Sequence, residues 1–276
     1  MNIQNILDEI EKVDANIYDR ISPRRKAMQS FFNIGSKIAL SAVPLALGSM
    51  LNKAYGQTTD TIVGVLQFAL TLEQLESEFY DTGLKSAGLI PSGAPMGAIT
   101  TICQHEKSHV KFLQDTITSL GAKPGTKPAF DFTAKGTFPT VFSNYDTFLA
   151  VAQAFEDTGV RAYKGQAGNL KGNAGVLTAA LNIHSVEARH ASHIRQMRKG
   201  RGADVKPWIT LNNSGIGAAV NNVYAGEEIT MQAMLEITNI NGQAISANAA
   251  SEAFDEPLSK DQVLQIVTPF LALIFF

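Results

Sequence analysis

Two stretches of this 276-residue chain contain the same order of potential metal-binding side chains: a glutamate, a tyrosine seven residues later, and then a Glu-x-x-His unit. The two sets are Glu73, Tyr80, Glu106 and His109, and Glu156, Tyr163, Glu187 and His190. The first glutamate precedes the second by 33 residues in one set and by 31 in the other. Four carboxylates and two imidazoles form a ligand set for two metal ions when they meet inside a helix bundle. The repeat therefore predicts a two-metal site.

The spacing also indicates a role for each predicted ligand. Residues three apart in a helix share a face, so both members of each Glu-x-x-His unit can point inward. Glu106 and Glu187 are predicted to bridge the two ions, while each histidine binds one. Glu73 and Glu156 are predicted to complete the two positions from other helices. A single Glu-x-x-His unit arises easily by chance, so the prediction depends on the matched second copy.

Tyr80 and Tyr163 lie two helical turns beyond Glu73 and Glu156, on the same helix face. A phenol in that position can hydrogen-bond a ligand carboxylate or relay electrons, so both tyrosines are candidate functional residues. The alternative for each is an amphipathic tyrosine packed in the core.

Two other side chains near these motifs are weaker candidates for a role in the metal site. Glu76 is a possible hydrogen-bonding neighbour of the ligands, and His193 is a possible auxiliary ligand because it lies three residues past His190. His105 and His184 are predicted to lie at the surface or in an interface.

Hydrophobic periodicity predicts four long helices, over residues 61–85, 95–120, 144–168 and 174–199. The stretch between the second and third helices contains three prolines, which exclude a helix interior there. The connections are therefore short, long and short. Short loops join antiparallel neighbours, so the pattern predicts an all-α, antiparallel four-helix bundle over residues 57–200 with one long crossover between helices two and three.

Residues 201–276 are predicted to be an extension that packs on the bundle. Trp208–Val223 is expected to be irregular, Tyr224–Ile237 is a possible helix, and Ser259–Phe270 is a predicted helix. The last apolar run of the sequence is interrupted by Pro269. It is also too short to span a membrane, which requires about 20 apolar residues. The alternative role for this extension is an oligomer interface.

Residues 1–56 have the order of an export signal: Arg24-Arg25-Lys26, then the apolar stretch 38–51, then Ala54-Tyr55-Gly56. The paired arginines resemble a twin-arginine signal, although Pro23 departs from the usual pattern. This predicts a periplasmic or secreted protein with no stable membrane span after processing. The alternatives are an uncleaved membrane anchor and an additional N-terminal helix.

Composition excludes several classes of function. Charged residues make up 17% of the chain and the net charge is −2, so no basic field predicts binding to nucleic acid. Cys103 is the only cysteine, which excludes an intrachain disulfide and a cysteine-rich metal site, and it is expected to be a packing residue. The sequence contains neither a glycine-rich phosphate loop nor a G-x-S-x-G motif.

The two sets of ligands resemble those of the ferritin-like superfamily of di-metal carboxylate proteins, over about residues 58–200. The segment 70–80, LTLEQLESEFY, is more specifically similar to the exported branch that includes desiccation-related proteins. The segment 251–258, SEAFDEPL, is similar to bacterial members of that branch. The resemblance implies a ferritin-like four-helix bundle and assigns the six Glu and His ligands the bridging and terminal roles given above.

The resemblance also implies two iron or two manganese ions and a di-metal oxidoreductase that oxidises Fe(II) or consumes dioxygen or peroxide. The alternatives are a non-catalytic, stress-protective or structural envelope protein with a static or absent metal pair, and a manganese catalase. The chain has no rubredoxin-like cysteine cluster. A homo-oligomer is possible, but a 24-subunit iron store is not expected.

Overall fold

The computed structural model describes residues 59–272, with side chains from residue 61 onward. Its four long helices are α1 (Thr59–Lys85), α2 (Ala94–Ser119), α3 (Tyr145–Ala167) and α4 (Ala174–Gly200). Each begins and ends within two residues of the range predicted from hydrophobic periodicity. The predicted export signal, residues 1–56, lies outside the described part of the chain.

The helices pack as two pairs, α1 with α2 and α3 with α4, and the pairs together form a bundle. Residues 86–93 join the first pair, and residues 168–173, with a 3₁₀ turn at Gly168–Leu170, join the second. Connections this short require antiparallel neighbours. The crossover from α2 to α3 is long, as predicted, and covers residues 120–144.

Side-chain caps fix the starts of α3 and α4. The Asn144 side chain accepts a hydrogen bond from the Thr147 amide at 2.9 Å, and Asn173 accepts one from the Val176 amide at 3.1 Å. These bonds satisfy amides that have no partner within the helix. Because these two starts are fixed, α3 and α4 present their glutamates at a defined depth in the bundle.

The bundle core consists of two apolar clusters at opposite ends. One is rich in aromatic rings and is built around Phe79, Phe148 and Phe155, and the other includes Leu66 and Ile117. Phe79 stacks on Phe148 with ring centroids 4.8 Å apart. Along all four helices, the predicted metal ligands fall between the residues of these two clusters. The apolar clusters therefore enclose a polar layer in the middle of the bundle.

The segment after α4 contains short elements. The helices are α5 (Asn221–Tyr224), α6 (Ala247–Ser251) and α7 (Lys260–Val267), and the strands are β1 (Met231–Gln232), β2 (Leu235–Glu236), β3 (Asn239–Ile240) and β4 (Gln243–Ala244). Ser259 caps α7 in a capping box with Gln262, and a 3₁₀ turn at Thr268–Phe270 follows, so the predicted helix over Ser259–Phe270 is confirmed. None of the helices in residues 59–272 combines the length and hydropathy that crossing a membrane requires.

The C-terminal segment is anchored to α3 by hydrogen bonds. The Leu258 amide donates to the Arg161 carbonyl at 3.1 Å. The Arg161 guanidinium donates to the backbone carbonyls of Val223, Ala225 and Glu256. Residues 201–272 thus pack on the bundle through buried polar contacts as well as apolar ones.

The predicted helix over Tyr224–Ile237 is wrong, because only Tyr224 is helical and the rest contains an antiparallel hairpin. Ala233 and Met234 form its turn with φ of 51° and 68°, a left-handed conformation that residues of a right-handed α-helix do not adopt. A second hairpin, β3–β4, turns at Asn241-Gly242, a dipeptide that favours such turns. The described chain is therefore mostly helical rather than all-α.

Candidate metal centre

The polar layer brings the six predicted ligands together as two overlapping groups. The ligand atoms within each group lie within 4.8 Å of one another, and the groups are Glu73, Glu106, His109 and Glu187, and Glu106, Glu156, Glu187 and His190. Glu106 and Glu187, which are predicted to bridge the two ions, belong to both groups. All four glutamates are fully buried. The geometry therefore contains two adjacent positions, each able to hold a metal ion.

Both imidazoles turn Nδ1 toward the carboxylates. Nδ1 of His109 lies 3.1 Å from Glu73 Oε2 and 3.1 Å from Glu106 Oε2. Nδ1 of His190 lies 2.8 Å from Glu106 Oε1 and 3.3 Å from Glu156 Oε2. Each histidine therefore offers one nitrogen to one of the two positions.

Several atoms of this layer are buried without a hydrogen-bond partner among the described residues. They are Glu106 Oε1, Glu156 Oε2, both carboxylate oxygens of Glu187, and His190 Nδ1. His190 Nδ1 is close to Glu106 Oε1, but the angles do not make that contact a hydrogen bond. Buried polar atoms without partners are rare and costly, and carboxylate oxygens with imidazole nitrogens suit hard or borderline divalent cations. The donor set therefore fits two such ions.

The carboxyl groups of the centre have strongly perturbed pKa values. Burial raises the pKa of Glu73 to about 8, although His109 opposes this effect. Burial and the charge of Glu106 raise the pKa of Glu187 well above its usual value. Burial acts in the same direction on Glu106, but contacts with His109 and His190 outweigh it and lower the pKa to about 2. Without metal, the centre therefore holds protons that bound cations would displace.

The two predicted tyrosines hydrogen-bond ligands of the opposite repeat. The Tyr80 hydroxyl donates to Glu156 Oε1 at 2.5 Å, and the Tyr163 hydroxyl donates to Glu73. Burial raises the pKa of both phenols well above the usual value, and the facing carboxylate adds to this effect. Both tyrosines therefore donate to carboxylates, as the sequence suggested, while a role in electron transfer stays a prediction.

The layer contains one further carboxylate, Glu76, which is 3% exposed. Burial and the charge of Glu187 raise the pKa of Glu76 well above its usual value. Gly159 makes room for the neighbouring carboxylate of Glu187: an added Cβ there would lie 2.7 Å from Glu187 Oε2, but at an ordinary contact distance of 3.4 Å from Glu76 Oε1. Glu76 and Gly159 occupy equivalent places, three residues after Glu73 and Glu156. The two repeats therefore differ at this position, which is a glutamate in the first repeat and a glycine beside Glu187 in the second.

The remaining sequence candidates lie in different surroundings. His105 is exposed, as predicted, but its Nδ1 lies 3.0 Å from Nε2 of His190. His184 contacts a backbone carbonyl of α3 through Nδ1, and His193 is exposed and belongs to neither ligand group. Cys103 is buried in the aromatic cluster. The contact of His105 with the centre was missed because it joins side chains of two different helices.

The fold and the site together define a helical bundle with buried carboxylate and histidine clusters that could hold metal. A family model described as the ferritin-like domain matches residues 61–200, just over half of the chain and the same range as the four long helices. The chain therefore belongs to the ferritin-like domain family. No match was found among curated proteins.

Proposed function

We propose that this protein binds a pair of iron or manganese ions and uses them to oxidise Fe(II) or to reduce dioxygen or peroxide. The observation that supports this most directly is the pair of overlapping ligand groups that share Glu106 and Glu187. Carboxylate-rich sites with one imidazole per ion are typical of redox-active iron and manganese.

In this proposal, Glu73 with His109 would hold one ion and Glu156 with His190 the other, and Glu106 and Glu187, which belong to both ligand groups, would contribute to both positions. The bound pair would supply the redox electrons. The chain supplies a binding site that bulk water does not fill, because the glutamates are fully buried between two apolar clusters. The net charge of the metal-loaded site is small, since the negative carboxylates nearly balance two divalent ions.

Tyr80 and Tyr163 have a role in positioning the terminal carboxylates. Each hydroxyl holds one carboxylate oxygen of Glu156 or Glu73 and leaves the other oxygen facing a histidine. This arrangement fixes the direction in which each terminal glutamate presents its free oxygen. We propose an additional electron-transfer role for both phenols, because each one contacts a terminal ligand directly.

The proposed setting is the periplasm or the cell exterior. The twin-arginine-like segment at Arg24-Arg25 supports export, and that route suits a protein that folds around its metals before transport. Retention of the segment would instead anchor the protein to the membrane. The similarity of residues 70–80 and 251–258 to the desiccation-related branch supports a stress-protective context. We propose small oxidants as partners, no nucleic acid, and a homo-oligomeric assembly.

The test combines elemental analysis with stopped-flow measurement of Fe(II) oxidation on the purified chain. Wild-type protein is expected to hold about two ions per chain, and Glu73→Gln and Glu106→Ala are expected to reduce both metal content and rate. Glu78→Gln is the matched control, because Glu78 lies on the same helix as Glu73 but pairs with Lys127. Wild-type protein without bound metal, or Glu106→Ala with unchanged metal content and rate, would contradict the proposal.

The same preparation separates the alternative functions. Rapid oxygen evolution from peroxide by the manganese-loaded protein would identify a catalase. A large rise in melting temperature on metal addition, with no turnover of Fe(II) or peroxide, would identify a static, stabilising metal pair.

A further inference from the structure

The two repeats differ in the residue that lies one helical turn before the predicted histidine ligand. His109 and His190 are equivalent in the two repeats, and the residues four positions before them are His105 and Val186. Residues four apart share a helix face, so both precede their ligand by one turn on the same side. Valine has no side-chain hydrogen-bond acceptor, whereas histidine has one. The sequence repeat is therefore broken at this position.

The structure shows what His105 contacts. Its Nδ1 lies 3.0 Å from Nε2 of His190, and the two rings stack with centroids 5.2 Å apart and planes 12° from parallel. The other nitrogen of His190, Nδ1, faces Glu106 and Glu156. When Nδ1 of His190 binds a cation, its proton must be on Nε2, and His105 Nδ1 is placed to accept that hydrogen bond.

His105 reaches this position from an open cleft between α2 and α4. The cleft has a volume of about 610 Å³, and both His105 and Val186 line it. His190 forms part of its inner wall. On the side of this cleft, the His190 ring contacts His105 through both the 3.0 Å hydrogen-bond distance and the ring stacking. These contacts restrain the orientation of the ring.

We propose that His105 is a positioning residue for His190, which makes the position held by Glu156 and His190 bind its ion differently from the position held by Glu73 and His109. This inference rests on the proposed di-metal function. A partner that accepts the second N–H of a histidine ligand fixes its tautomer and orientation and increases its basicity. Loss of such a partner typically lowers metal affinity by about 10- to 100-fold.

The test measures the affinity for cobalt(II) by competition with a chromophoric chelator. It uses variants that each retain one of the two metal positions. His109→Ala leaves the position of His190, and His190→Ala leaves the position of His109. His105→Leu is expected to lower cobalt affinity about tenfold or more in the first background. In the second background it is expected to have little effect, because His109 makes its described hydrogen bonds with Glu73 and Glu106 and none with His105.

A conservative variant separates positioning from a general structural effect. His105→Asn keeps an oxygen acceptor close to the place of Nδ1 and is expected to restore affinity to within about threefold of the parent. His193→Leu is the matched control, because His193 lines the same cleft and belongs to neither ligand group. In the chain with both positions intact, His105→Leu should lower only one of the two stepwise affinities.

Two results would overturn the inference while leaving the proposed function in place. One result is that the wild type and His105→Leu bind cobalt with the same affinity. The other is that His105→Leu lowers the affinity equally in both single-position backgrounds. Failure of the wild type to bind cobalt at all would overturn the proposed function and this inference together.

Discussion

Tyr80 on α1 donates a hydrogen bond to Glu156 on α3, and Tyr163 on α3 donates one to Glu73 on α1. Each tyrosine thus holds the terminal carboxylate of the other repeat. The two bonds cross the interface between the two helix pairs. They connect the two halves of the bundle at the depth of the candidate metal centre, where apolar packing is interrupted.

Removal of either crossing hydrogen bond is expected to destabilise the metal-free protein. Tyr80→Phe leaves Glu156 Oε1 buried without its donor, and Tyr163→Phe does the same to Glu73. Loss of one partner of a buried hydrogen bond costs about 1–3 kcal/mol, so each variant should lose that much free energy of unfolding in a denaturant titration. The loss in the double variant should differ from the sum, because Glu73 and Glu156 both interact with Glu106 and so belong to one network.

Tyr145→Phe is the matched control for these variants. The Tyr145 hydroxyl is buried and has no hydrogen-bond partner among the described residues, so its removal should not reduce stability. Equal losses for Tyr145→Phe and Tyr80→Phe would show that the crossing hydrogen bonds contribute nothing specific.

Gly159→Ala is expected to impair metal binding more than stability. The added methyl group would lie 2.7 Å from Glu187 Oε2, at the end of a flexible side chain that can move away. The helix tolerates alanine, but Glu187 must leave the place where it belongs to both ligand groups. We expect the affinity for cobalt to fall by about tenfold or more, because a residue of both ligand groups is displaced. The free energy of unfolding should change by less than about 1 kcal/mol.

Gly64→Ala is the control for this substitution. Gly64 is also in a helix, and an added Cβ there meets nothing within 4 Å. That variant should be about 0.5–1 kcal/mol more stable and bind metal normally, because alanine favours the helix. Unchanged metal affinity in Gly159→Ala would show that the space at Gly159 is not needed for Glu187.

Glu187→Gln is expected to change stability in opposite directions with and without metal. Both Glu187 oxygens are buried without a hydrogen-bond partner among the described residues, and neighbouring carboxylates repel the charged form. Without metal, the neutral amide should therefore stabilise the protein by about 1 kcal/mol or more. With excess metal, the wild type should be the more stable, since it binds the ions more tightly. Melting curves with chelator and with added metal test this, and the same order of stability in both conditions would contradict it.

The sequence predicted which carboxylates and imidazoles lie together, because the spacing within each unit is local. A Glu-x-x-His unit within one helix determines which face both side chains share, and periodicity located each helix to within two residues. It did not predict which carboxylate Tyr80 would contact, because that depends on how α1 and α3 face each other. The contact of His105 with His190 was missed for the same reason.

The β1–β2 hairpin could not be predicted because its turn residues give no local signal. Ala233 and Met234 adopt positive φ, which both residue types normally avoid, so their identities do not indicate a turn. The second hairpin is different, since Asn241-Gly242 is a dipeptide that does indicate a turn.

Gly165→Ala is expected to displace the C-terminal segment from the bundle. An added Cβ at Gly165 would lie 1.9 Å from the carbonyl oxygen of Leu258, which is backbone and cannot rotate away. The Leu258 amide also donates to Arg161, so this approach is part of the docking contact. We expect a loss of about 2 kcal/mol or more in unfolding free energy and faster proteolysis after residue 200. Gly97→Ala, with nothing within 4 Å of the added Cβ, should show neither effect.

Glu227 is expected to make the attachment of the C-terminal segment depend on pH. Its Oε1 forms an ion pair with Arg161 Nε at 2.8 Å and accepts a hydrogen bond from the Glu256 amide at 2.7 Å, while Oε2 is buried without a hydrogen-bond partner among the described residues. Burial raises the pKa of Glu227 from 4.5 to about 7, although Arg161 opposes this effect. Burial also lowers the pKa of Arg161, so the cost of burying both charges exceeds the benefit of pairing them.

A carboxyl group with a raised pKa binds its proton more tightly in the folded state than in the unfolded state. Between pH 4.5 and about 7 the unfolded chain has lost this proton while the folded chain retains it, so stability decreases as the pH rises through that range and is level above it. Relative to Glu227→Gln, which has no such proton, the wild type should lose on the order of 3 kcal/mol over this range. Glu228→Gln, at an exposed neighbouring position, should follow the wild-type curve. Denaturant titrations at a series of pH values test this, and parallel curves for wild type and Glu227→Gln would show that Glu227 retains an ordinary pKa through its contact with Arg161.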